Sequence, residues 1–385
     1  MEYFLTEQQK TIKALARRIA EERILPVRAE LDEKEEFPWA IMKDLADADM
    51  FRVFIPEEYD GLGGGCLELC LVVEELSRVC SGVAISYAAT ALGCSSLLEY
   101  GNEEQKQKYL PDVASGKRLA AFALTESTAG SDASAIKTTA SREKEGYVLN
   151  GTKQFITNGG EADIYTIIAL TNPERGSRGA SAFLVDKDTP GFSFGKKEKK
   201  MGIRASTTRE LIFRNCLVPE ENLIGKEGMG FIITMRVLDR SRPGIGAQAV
   251  GLAQGALEAA VDYARQRIQF GHPIYSLQAV QHMLAEMATQ VEAARLLVYA
   301  AARTIDSGAK DFTEEAAMAK VFASDTAMRV TTDAVQIFGG VGYMRDYPVE
   351  KMMRDAKITQ IYEGSNQVLR STIALELRKR RARRE

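Results

Sequence analysis

The sequence predicts a multidomain α+β protein: a helical N-terminal domain, a middle domain built on an antiparallel β-sheet or barrel, and a second helical domain at the C-terminus. Three observations predict this order. Apolar residues recur three and four positions apart up to about Ala114, β-rich runs bounded by glycine and proline follow, and helical spacing returns after Gly230. We place the domain boundaries at residues 1–116, 117–226 and 227–385. The 385 residues fit two or three domains of about 150 residues each.

Long amphipathic segments predict the N-terminal helices. Thr6–Leu25 and Leu67–Val79 both place apolar residues at the spacing of one helical face. The glycine-rich run Gly61–Gly65 interrupts them. It is only superficially similar to a phosphate-binding loop, because Cys66 stands at the sixth position and no β-strand followed by a helix frames it. We interpret it as a tight connection between helices.

Short β-rich runs with turn residues predict the strands of the middle domain. Asn-Gly dipeptides in such a context favour hairpin turns. The predicted elements are Tyr147–Leu149 before Asn150-Gly151, Phe155–Thr157 before Asn158-Gly159, Ile164–Leu170 and Ala182–Val185. No helices alternate with these strands, so the fold is not doubly wound, and a nucleotide cofactor would be held without a Rossmann unit.

The C-terminal third carries a long amphipathic helix and a glycine-rich break. Within Leu277–Ile305 the apolar side chains form one helical stripe, which consists of Val280, Met283, Met287, Val291, Ala294 and Val298. The segment Phe338–Gly342 then ends the helices, and a last helix starts near Ser365. Six of the seven residues in Arg378–Arg384 are basic, which we interpret as a frayed, solvated chain terminus rather than a nucleic-acid site.

Composition and the scarce residue types exclude several function classes. The chain has 50 Lys and Arg against 53 Asp and Glu, a net charge of −3 that gives no basic face for duplex nucleic acid. No apolar run approaches the ~20 residues of a membrane span. The two histidines, His272 and His282, cannot build a His-rich metal site, and no Gly-x-Ser-x-Gly elbow supports a hydrolase. We therefore expect no metal, no nucleic-acid partner and no membrane association.

The cysteines and the N-terminal residues indicate a reducing compartment. Cysteines 66, 70, 80, 94 and 216 are odd in number and form no Cys-x-x-Cys pair, so we expect reduced thiols that pack as small buried groups. The first residues show neither the apolar stretch of a signal peptide nor the Arg/Ser bias of a transit peptide. We expect a cytoplasmic protein of a prokaryote, although a mature protein of the mitochondrial matrix would have the same features.

Four motifs, in order along the chain, carry a resemblance to a known family. They are Phe122–Asp132, Phe155–Gly160, Arg267–Gly271, and Gln336–Gly340 together with Ile361–Gln367. Each alone is weak evidence. Together, and with the matching changes between helical and β-rich sequence, they closely resemble the acyl-CoA dehydrogenase family in its short-chain, butyryl-CoA-like branch. The resemblance covers essentially the whole chain.

The resemblance implies a fold, a cofactor and a reaction. The C-terminal domain would be a four-helix bundle, FAD would lie between it and the β-domain, and the assembly would be a homotetramer. The substrate would be an acyl-CoA thioester, from which a base removes the pro-R α-proton while the β-hydrogen leaves as hydride to flavin N5. Electron-transfer flavoprotein would accept the electrons.

The resemblance makes Glu363 the catalytic base, and elementary chemistry agrees. The α-proton of a saturated thioester is too weakly acidic for a carboxylate in water. The site must therefore raise the basicity of the Glu by desolvation and stabilise the developing enolate by hydrogen bonds. We expect the backbone N–H of Glu363 to help bind the thioester oxygen, Gly364 to permit a close backbone approach, and Tyr362 to contact the substrate.

The FAD contacts are also assigned by resemblance. Within one subunit they are Phe122, Leu124, Thr125, Gly130, Ser131, Phe155, Ile156, Thr157, Ser365 and Gln367. Thr125 would touch the isoalloxazine, and Ser131 would lie where FAD and the CoA moiety approach each other, so that it also binds substrate. Phe155 stands where many relatives have Trp, which keeps an aromatic face but removes the indole donor.

A second group of residues is expected to reach FAD from a neighbouring subunit. This group comprises Arg267, Phe270, Gln278, Gln336, Gly339 and Gly340. Arg267 carries a planar donor fork suited to a diphosphate. Asp239 and Arg242, by the same resemblance, contact substrate and brace the catalytic loop.

Two features favour a short, apolar or aromatic acyl group. A subgroup resembling isovaleryl-CoA dehydrogenase carries its base on the helix near Arg240; this chain has Arg at that position and Glu at 363, so the straight-chain arrangement is favoured. The segment Ser86–Leu98, expected to floor the acyl pocket, offers Tyr87, Thr90 and Ser95 but no Arg to hold a distal carboxylate. Tyr87 is bulky enough to shorten the pocket.

Three alternatives remain open. The same site run backwards would be an enoyl-CoA reductase acting on butenoyl-, acrylyl- or caffeyl-CoA, because the motifs do not encode direction. An acyl-CoA oxidase is less consistent with the sequence, since those chains are generally much longer. A non-catalytic helical scaffold is disfavoured by the intact Glu363 and FAD segments.

Overall fold

The computed structural model describes residues 3–382 and shows two helical regions separated by a β-sheet region, which is the predicted order. The N-terminal helices are α1 (Glu7–Ile19), α2 (Arg28–Lys34), α3 (Trp39–Asp47), α4 (Cys66–Val79), α5 (Ser81–Tyr100) and α6 (Glu103–Ala114). The C-terminal helices are α7 (Gly230–Gln266), α8 (Gln278–Asp306), α9 (Thr313–Phe338), α10 (Val349–Thr359) and α11 (Asn366–Ala382). One large hydrophobic core cluster runs through all three regions.

Side-chain caps fix the starts of two helices that support the site. At α1, Thr6 Oγ1 accepts from the backbone N–H of Gln9 over 3.2 Å, and Gln9 Oε1 accepts from the N–H of Thr6 over 2.9 Å. The start of α4 is capped from the other helical region. The Asp306 carboxylate, at the end of α8, accepts from the N–H groups of Cys66 and Leu67 at 2.7 and 2.9 Å. This contact joins the N-terminal helices to the C-terminal ones.

The middle region is one eight-stranded sheet. Its strands are β1 (Ala120–Ala123), β2 (Thr139–Glu143), β3 (Gly146–Thr157), β4 (Ile164–Leu170), β5 (Ala180–Asp186), β6 (Phe192–Lys197), β7 (Thr208–Pro219) and β8 (Leu223–Ile224). The order is β6-β7-β3-β2-β4-β5-β8, with β1 paired to β4. Most pairs are antiparallel, as predicted, but β1 runs parallel to β4 with Ala120 opposite Ile164, and β2 also pairs with β4 in parallel at Thr139 and Leu170. The intervening β2 and β3 supply the long connection that parallel strands need.

The two predicted Asn-Gly hairpin turns are wrong. Asn150 and Gly151 lie inside β3, at a register shift where the chain bulges against β7. Gly151 has φ +146°, and a Cβ there would approach Thr138 Oγ1 to 2.5 Å, so close packing rather than a turn requires this glycine. Asn158 does begin a turn, with φ +61°, but the turn joins no hairpin because β4 pairs with β1, β2 and β5 instead of β3.

The predictions for the C-terminal helices are confirmed. In α8 the side chains of Met287, Val291, Ala294 and Val298 are buried along the predicted stripe. A short hairpin, β9 (Ile268–Gln269) with β10 (His272–Pro273), precedes this helix. The segment after Phe338 breaks the helices, and α11 starts one residue after Ser365.

The basic C-terminal segment departs from its prediction. It is exposed, as expected, but it continues α11 as a helix up to Ala382 instead of fraying at Arg378. Residues 383–385, which include the last two arginines, lie outside the described residues. A run of Lys and Arg at the end of a helix is compatible with helix geometry because cations there interact favourably with the helix dipole.

All five cysteines are buried and free, as predicted. Helix α5, with a mean hydropathy of 1.3, is the one helix within residues 3–382 that is long and apolar enough to cross a membrane. The expectation that no apolar run approaches such a length overlooked it. Of its most apolar stretch, 78% is buried inside the molecule, where α5 packs against α4, α7 and β1. We interpret α5 as a core helix.

Candidate active site

The loop between α10 and α11 holds Glu363 in a backbone conformation that few residues adopt. Glu363 has φ +56° and Gly364 has φ +90°, so two successive residues are left-handed. The positive φ favours glycine at 364, and a Cβ there would also lie 2.9 Å from Leu369 Cδ2, so that this side chain would have to move. Non-glycine residues held in this region cluster at functional sites.

The carboxylate of Glu363 is fixed by a hydroxyl of α7. Ser241 Oγ donates a hydrogen bond to Glu363 Oε2 over 2.9 Å, and Arg242 Nε lies 3.5 Å from the Glu363 carbonyl oxygen. Burial raises the pKa of the Glu363 carboxyl, against the opposing effects of the Ser241 hydrogen bond and of the cations Arg242 and Lys320. Once ionised, the group is a stronger base than a carboxylate in water. Ser241 was not singled out by the sequence motifs.

Arg242 and Asp239 lie behind this loop. Arg242 is buried, and its guanidinium pairs with Asp239 one turn earlier in α7. Thr313 Oγ1, at the start of α9, donates to the other Asp239 oxygen over 2.7 Å. Arg242 therefore reaches the loop from a fixed position, at the place where the resemblance puts a brace.

A buried lysine that the sequence did not indicate holds the same loop from α9. Lys320 Nζ donates to the carbonyl oxygen of Gly364 over 2.8 Å and to Asn366 Oδ1 over 3.0 Å. Burial lowers the pKa of Lys320 to about 7. Asn366 Nδ2 in turn donates to Ser324 Oγ over 2.9 Å. Most lysines on helices face water, so nothing in the sequence of α9 distinguishes this one.

Tyr362 is anchored by a second residue that the sequence did not indicate. Its hydroxyl donates a hydrogen bond to Gln248 Oε1, and Gln248 Nε2 donates to Ser81 Oγ over 2.7 Å. The chain of contacts runs from the loop through α7 to the start of α5. Tyr362 is thereby fixed with its ring against Ile85 and Ile245.

An apolar cavity of about 110 Å³ opens beside Glu363. It lies between α5, α7, the Glu363 loop and the end of β3. Its apolar lining consists of Phe54, Cys66, Leu69, Ile85, Ala88, Ala89, Ala91, Leu92, Leu98 and Ile245. Its polar side chains are Ser95, Thr157, Arg240, Ser241, Tyr362 and Glu363, and the glycines Gly64, Gly65 and Gly244 complete it. The cavity thus brings residues of all three predicted domains to one carboxylate.

Helix α5 lines the cavity, as predicted, but only one of the three polar residues that we expected there does so. Ser95 lines the cavity, whereas Tyr87 and Thr90 do not. The Tyr87 hydroxyl donates to the carbonyl oxygen of Met50 over 2.8 Å, and the Tyr87 ring packs edge-on behind Phe54, which lines the cavity. Tyr87 therefore does not shorten the cavity. Although α5 contains no Arg, Arg240 enters the cavity from α7.

Three predicted flavin contacts form a surface beside the cavity. The backbone N–H of Gln154 donates to the Thr125 carbonyl oxygen over 2.8 Å, which holds the end of β1 next to β3. Phe155 has φ +58° and is 58% exposed, and Thr157 lines the cavity. The hydroxyls of Thr125 and Thr157 make no hydrogen bond to another of the described residues. An aromatic face with free hydroxyls beside the carboxylate fits a flavin ring, which needs hydrogen bonds rather than charge.

The other predicted FAD contacts of this group differ in burial. Leu124 and Ile156 are buried core residues. Phe122 and Ser365 are partly buried, and Gly130 and Gln367 are exposed. Beneath them, the buried Lys153 Nζ donates to the Leu124 carbonyl oxygen over 2.9 Å and pairs with Glu126 Oε1 at 2.7 Å. The sequence did not indicate this internal support.

The second predicted group lies at one end of the C-terminal helices. None of its members is among the described residues that line the cavity. The rings of Tyr263 and Phe338 stack with centroids 4.1 Å apart, which brings the end of α7 next to the end of α9. Phe270 is 86% exposed and has φ +52°. Arg267, Gln278, Gln336, Gly339 and Gly340 are exposed as well.

Family models match along the chain in the same order as the three regions. They describe the acyl-CoA dehydrogenase N-terminal domain over residues 6–117, the middle domain over 121–216 and the C-terminal domain over 228–377. The chain belongs to the acyl-CoA dehydrogenase family. It is a flavin-dependent oxidoreductase whose cofactor is FAD.

Relatives of this acyl-CoA dehydrogenase family member include enzymes that are named for opposite directions of reaction, a reductase and a dehydrogenase. The acryloyl-CoA reductase (NADH) of Anaerotignum propionicum is 49% identical over 382 residues, 99% of this chain and 97% of that protein. The solved structure of butyryl-CoA dehydrogenase from Megasphaera elsdenii is 46% identical, with a TM-score of 0.95 over 98% of this chain and 100% of that one. A chain in the solved structure of the electron transferring flavoprotein of Acidaminococcus fermentans is 51% identical, with a TM-score of 0.96 over 98% and 99%.

Proposed function

We propose that this enzyme converts a short-chain, small cyclic or aromatic acyl-CoA to the α,β-enoyl-CoA, with Glu363 as the base. One observation carries the proposal. The Glu363 carboxylate, hydrogen-bonded by Ser241, lines a small apolar cavity that also meets the hydroxyl-bearing surface at Thr157. Such a cavity suits an apolar acyl group better than the charged CoA moiety.

The residues of the loop supply the base and its setting. The Glu363 carboxylate takes the α-proton, and its raised pKa gives it more basicity than a solvated carboxylate has. We assign the thioester oxygen to the backbone N–H of Glu363, since a fixed donor there stabilises the charge that develops on the oxygen. Arg242 and Lys320 behind the loop hold the backbone that carries both groups.

The FAD cofactor would be held by residues of the middle domain beside the cavity. They are Phe122, Leu124, Thr125, Gly130, Ser131, Phe155, Ile156 and Thr157, with Ser365 and Gln367 from the start of α11. When bound, FAD supplies a two-electron acceptor, so that a β-hydrogen can leave as hydride while the α-proton goes to Glu363. Tyr362 and Gly364 would contact the substrate, and Ser131 would lie near its CoA moiety.

The rate of flavin reduction should depend on pH through Glu363. Because burial raises the pKa of this carboxyl above the ordinary value of about 4.3, the base is protonated and inactive at low pH, and the rate rises as pH increases through the raised pKa. This rise is the acid limb of the pH–rate profile. Stopped-flow bleaching of the flavin by saturating butyryl-CoA, between about pH 5 and about pH 9, measures it. A rate that increases toward acid would contradict the assignment.

The reductase direction is a second candidate, which the relative from Anaerotignum propionicum favours. The same Glu363 would then return a proton to the α-carbon of an enoyl-CoA. Direction follows from the electron partner, so both directions should be assayed on one preparation: saturated acyl-CoAs against the oxidised enzyme, and enoyl-CoAs with NADH and electron-transfer flavoprotein. Because the flavin half-reaction is reversible, the direction is assigned from the complete turnover: a dehydrogenase passes electrons from acyl-CoA to electron-transfer flavoprotein faster, and a reductase oxidises NADH faster with an enoyl-CoA.

We infer that electron-transfer flavoprotein accepts the electrons, a proposal supported by the likeness to a chain in the Acidaminococcus fermentans structure. After anaerobic reduction by butyryl-CoA, the flavin should stay reduced on mixing with air and should reoxidise on mixing with electron-transfer flavoprotein, because a closed site excludes water and oxygen. Absorbance and hydrogen peroxide production report the two cases. Rapid reoxidation by air with peroxide formation would identify an oxidase instead.

Assembly as a homotetramer is proposed from the second group of FAD residues. Arg267 and Phe270 are exposed at the end of the C-terminal helices, and so are two aromatic residues of the neighbouring connections, Tyr275 and Tyr343. An exposed patch of this kind is typical of an interface. If Arg267 completes the FAD site of a neighbouring subunit, Arg267→Ala should weaken FAD retention and the tetramer together.

Gel filtration and flavin absorbance of the Arg267→Ala variant test this prediction. Arg142→Ala is a matched control, since Arg142 is an exposed arginine of the middle region that pairs with Glu220. A monomeric Arg267→Ala protein that retains FAD normally would show that the two properties are independent.

A further inference from the structure

A buried ion pair lies beneath the surface that we assign to the flavin. Lys153, in β3, is fully buried, and Glu126, in the connection between β1 and β2, is 7% exposed. Lys153 Nζ lies 2.7 Å from Glu126 Oε1. Burying two charges costs free energy, and well-packed apolar side chains in their place are often at least as stable. Stability alone therefore does not account for the pair.

The Glu126 carboxylate closes a loop that runs from Leu124 to Thr138. Glu126 Oε2 accepts from the backbone N–H of Lys137 over 2.7 Å, and Oε1 accepts from the N–H of Thr138 over 3.0 Å. The backbone of Glu126 also pairs with that of Ala129, at 3.1 and 3.0 Å. Four of the predicted FAD contacts lie on this loop: Leu124, Thr125, Gly130 and Ser131. The exposed part of the loop therefore depends for its shape on a buried carboxylate at its base.

Lys153 joins this loop to the strand that presents the aromatic flavin contact. Lys153 Nζ also donates to the Leu124 carbonyl oxygen over 2.9 Å, and the N–H of the next residue, Gln154, donates to the Thr125 carbonyl oxygen over 2.8 Å. The register of β3 against β7 shifts just after Lys153, and Phe155 lies in the bulge that results. Consecutive residues of β3 thus fix the aromatic face relative to the hydroxyl of Thr125.

We propose that Glu126 and Lys153 are positioning residues of the FAD site, which hold the loop against the bulge at Phe155. This inference rests on the flavin contacts of the proposed function. Both side chains are buried and act through backbone groups of the loop, so they support the contacts without being contacts themselves. Without the pair, the loop would have to become ordered whenever FAD binds, and that cost would weaken FAD retention.

The test measures FAD release from the holoenzyme of the double variant Glu126→Gln/Lys153→Met. Changing both residues leaves no unpaired buried charge, so the variant should fold. Gln has one acceptor oxygen instead of two for the N–H groups at the base of the loop, and Met donates nothing to the Leu124 carbonyl oxygen. On dilution, followed by the fluorescence of free flavin, release should be about tenfold faster, the effect of one or two net hydrogen bonds.

Glu74→Gln is the matched control, because it changes another buried carboxylate that pairs with a cation. Glu74 is 3% exposed and lies 3.0 Å from Arg295 Nε, but it belongs to α4, which carries no predicted FAD contact. This variant should melt at a lower temperature than the wild type and release FAD at the wild-type rate. The single variant Glu126→Gln keeps the size of the side chain and should also release FAD faster, so it tests the inference even where the double variant does not fold.

Two results would overturn the inference. One is release of FAD at the wild-type rate from a folded Glu126→Gln or double variant, which would leave the pair a structural role alone. The other is an equal acceleration in Glu74→Gln, because release would then follow overall stability. Bleaching of the wild type by butyryl-CoA is independent of both results and tests the proposed function, so the two failures are distinguishable.

Discussion

Replacing Glu363 with Gln should slow flavin reduction by a saturated short acyl-CoA by at least ~10²–10⁴-fold while FAD and acyl-CoA still bind. Gln keeps the size and much of the hydrogen bonding of the side chain, including an oxygen that can accept from Ser241 Oγ, but removes the basic carboxylate. No histidine lines the cavity among the described residues, so no other neutral base replaces it. Stopped-flow bleaching with butyryl-CoA measures the step directly.

The stability of the Glu363→Gln variant is the control for misfolding. The pKa of Glu363 is raised in the folded state, so stability is lost as pH rises through the range between the unfolded and the folded pKa. The neutral Gln avoids this loss, and the variant should melt at or above the temperature of the wild type at neutral pH. A stable variant that bleaches at nearly the wild-type rate would move the search for a base to another carboxylate, such as Asp239.

Replacing Lys320 with Met should loosen the loop that carries Glu363. The substitution leaves the Gly364 carbonyl oxygen and Asn366 Oδ1 without their buried donor, which costs about 1–3 kcal/mol of unfolding free energy. Displacement of the loop by about 1 Å would slow flavin reduction by about 10²-fold. Loss of the cation should also raise the pKa of Glu363, so the acid limb of the rate profile moves to higher pH.

A shift of the acid limb in Lys320→Met would show that Lys320 acts on the base Glu363, whereas a general loss of stability would not move the limb. Lys310→Met is the matched control, since Lys310 is exposed between α8 and α9, and it should leave both the limb and the rate unchanged. A Lys320→Met variant that is destabilised but keeps the wild-type limb and rate would show that Lys320 has a structural role alone.

The order of the elements was predictable because hydrophobic periodicity is a local signal. The stripe on α8 and the runs that became β4 and β5 are such cases. Strand pairing is not local. The dipeptide Asn150-Gly151 has the composition of a hairpin turn, yet it lies within β3 because a glycine is needed opposite Thr138. The parallel pairing of β1 with β4 likewise depends on what lies between them in space.

Site residues could be predicted when they belong to a recognisable sequence motif. Contacts between residues that are distant in sequence could not be predicted, because only the fold brings them together. Glu363 stands in a recognisable motif, but its contacts to Ser241, Lys320 and Arg242 come from helices far away in sequence. The left-handed backbone of Phe155, Phe270 and Glu363 is equally invisible in the sequence, since none of these residue types favours it. For Tyr87, the size of the side chain was evident from the sequence, but the side of α5 from which it projects was not.

We propose that this acyl-CoA dehydrogenase family member removes the α- and β-hydrogens of a short acyl-CoA at the Glu363 cavity. One anaerobic experiment tests it most directly: the FAD-loaded wild type is mixed with one equivalent of butyryl-CoA, and flavin absorbance and the mass of the thioester are followed together. We expect the flavin to bleach in step with the appearance of a thioester lighter by two hydrogens. An oxidised flavin and unchanged butyryl-CoA at the end of the reaction would contradict it.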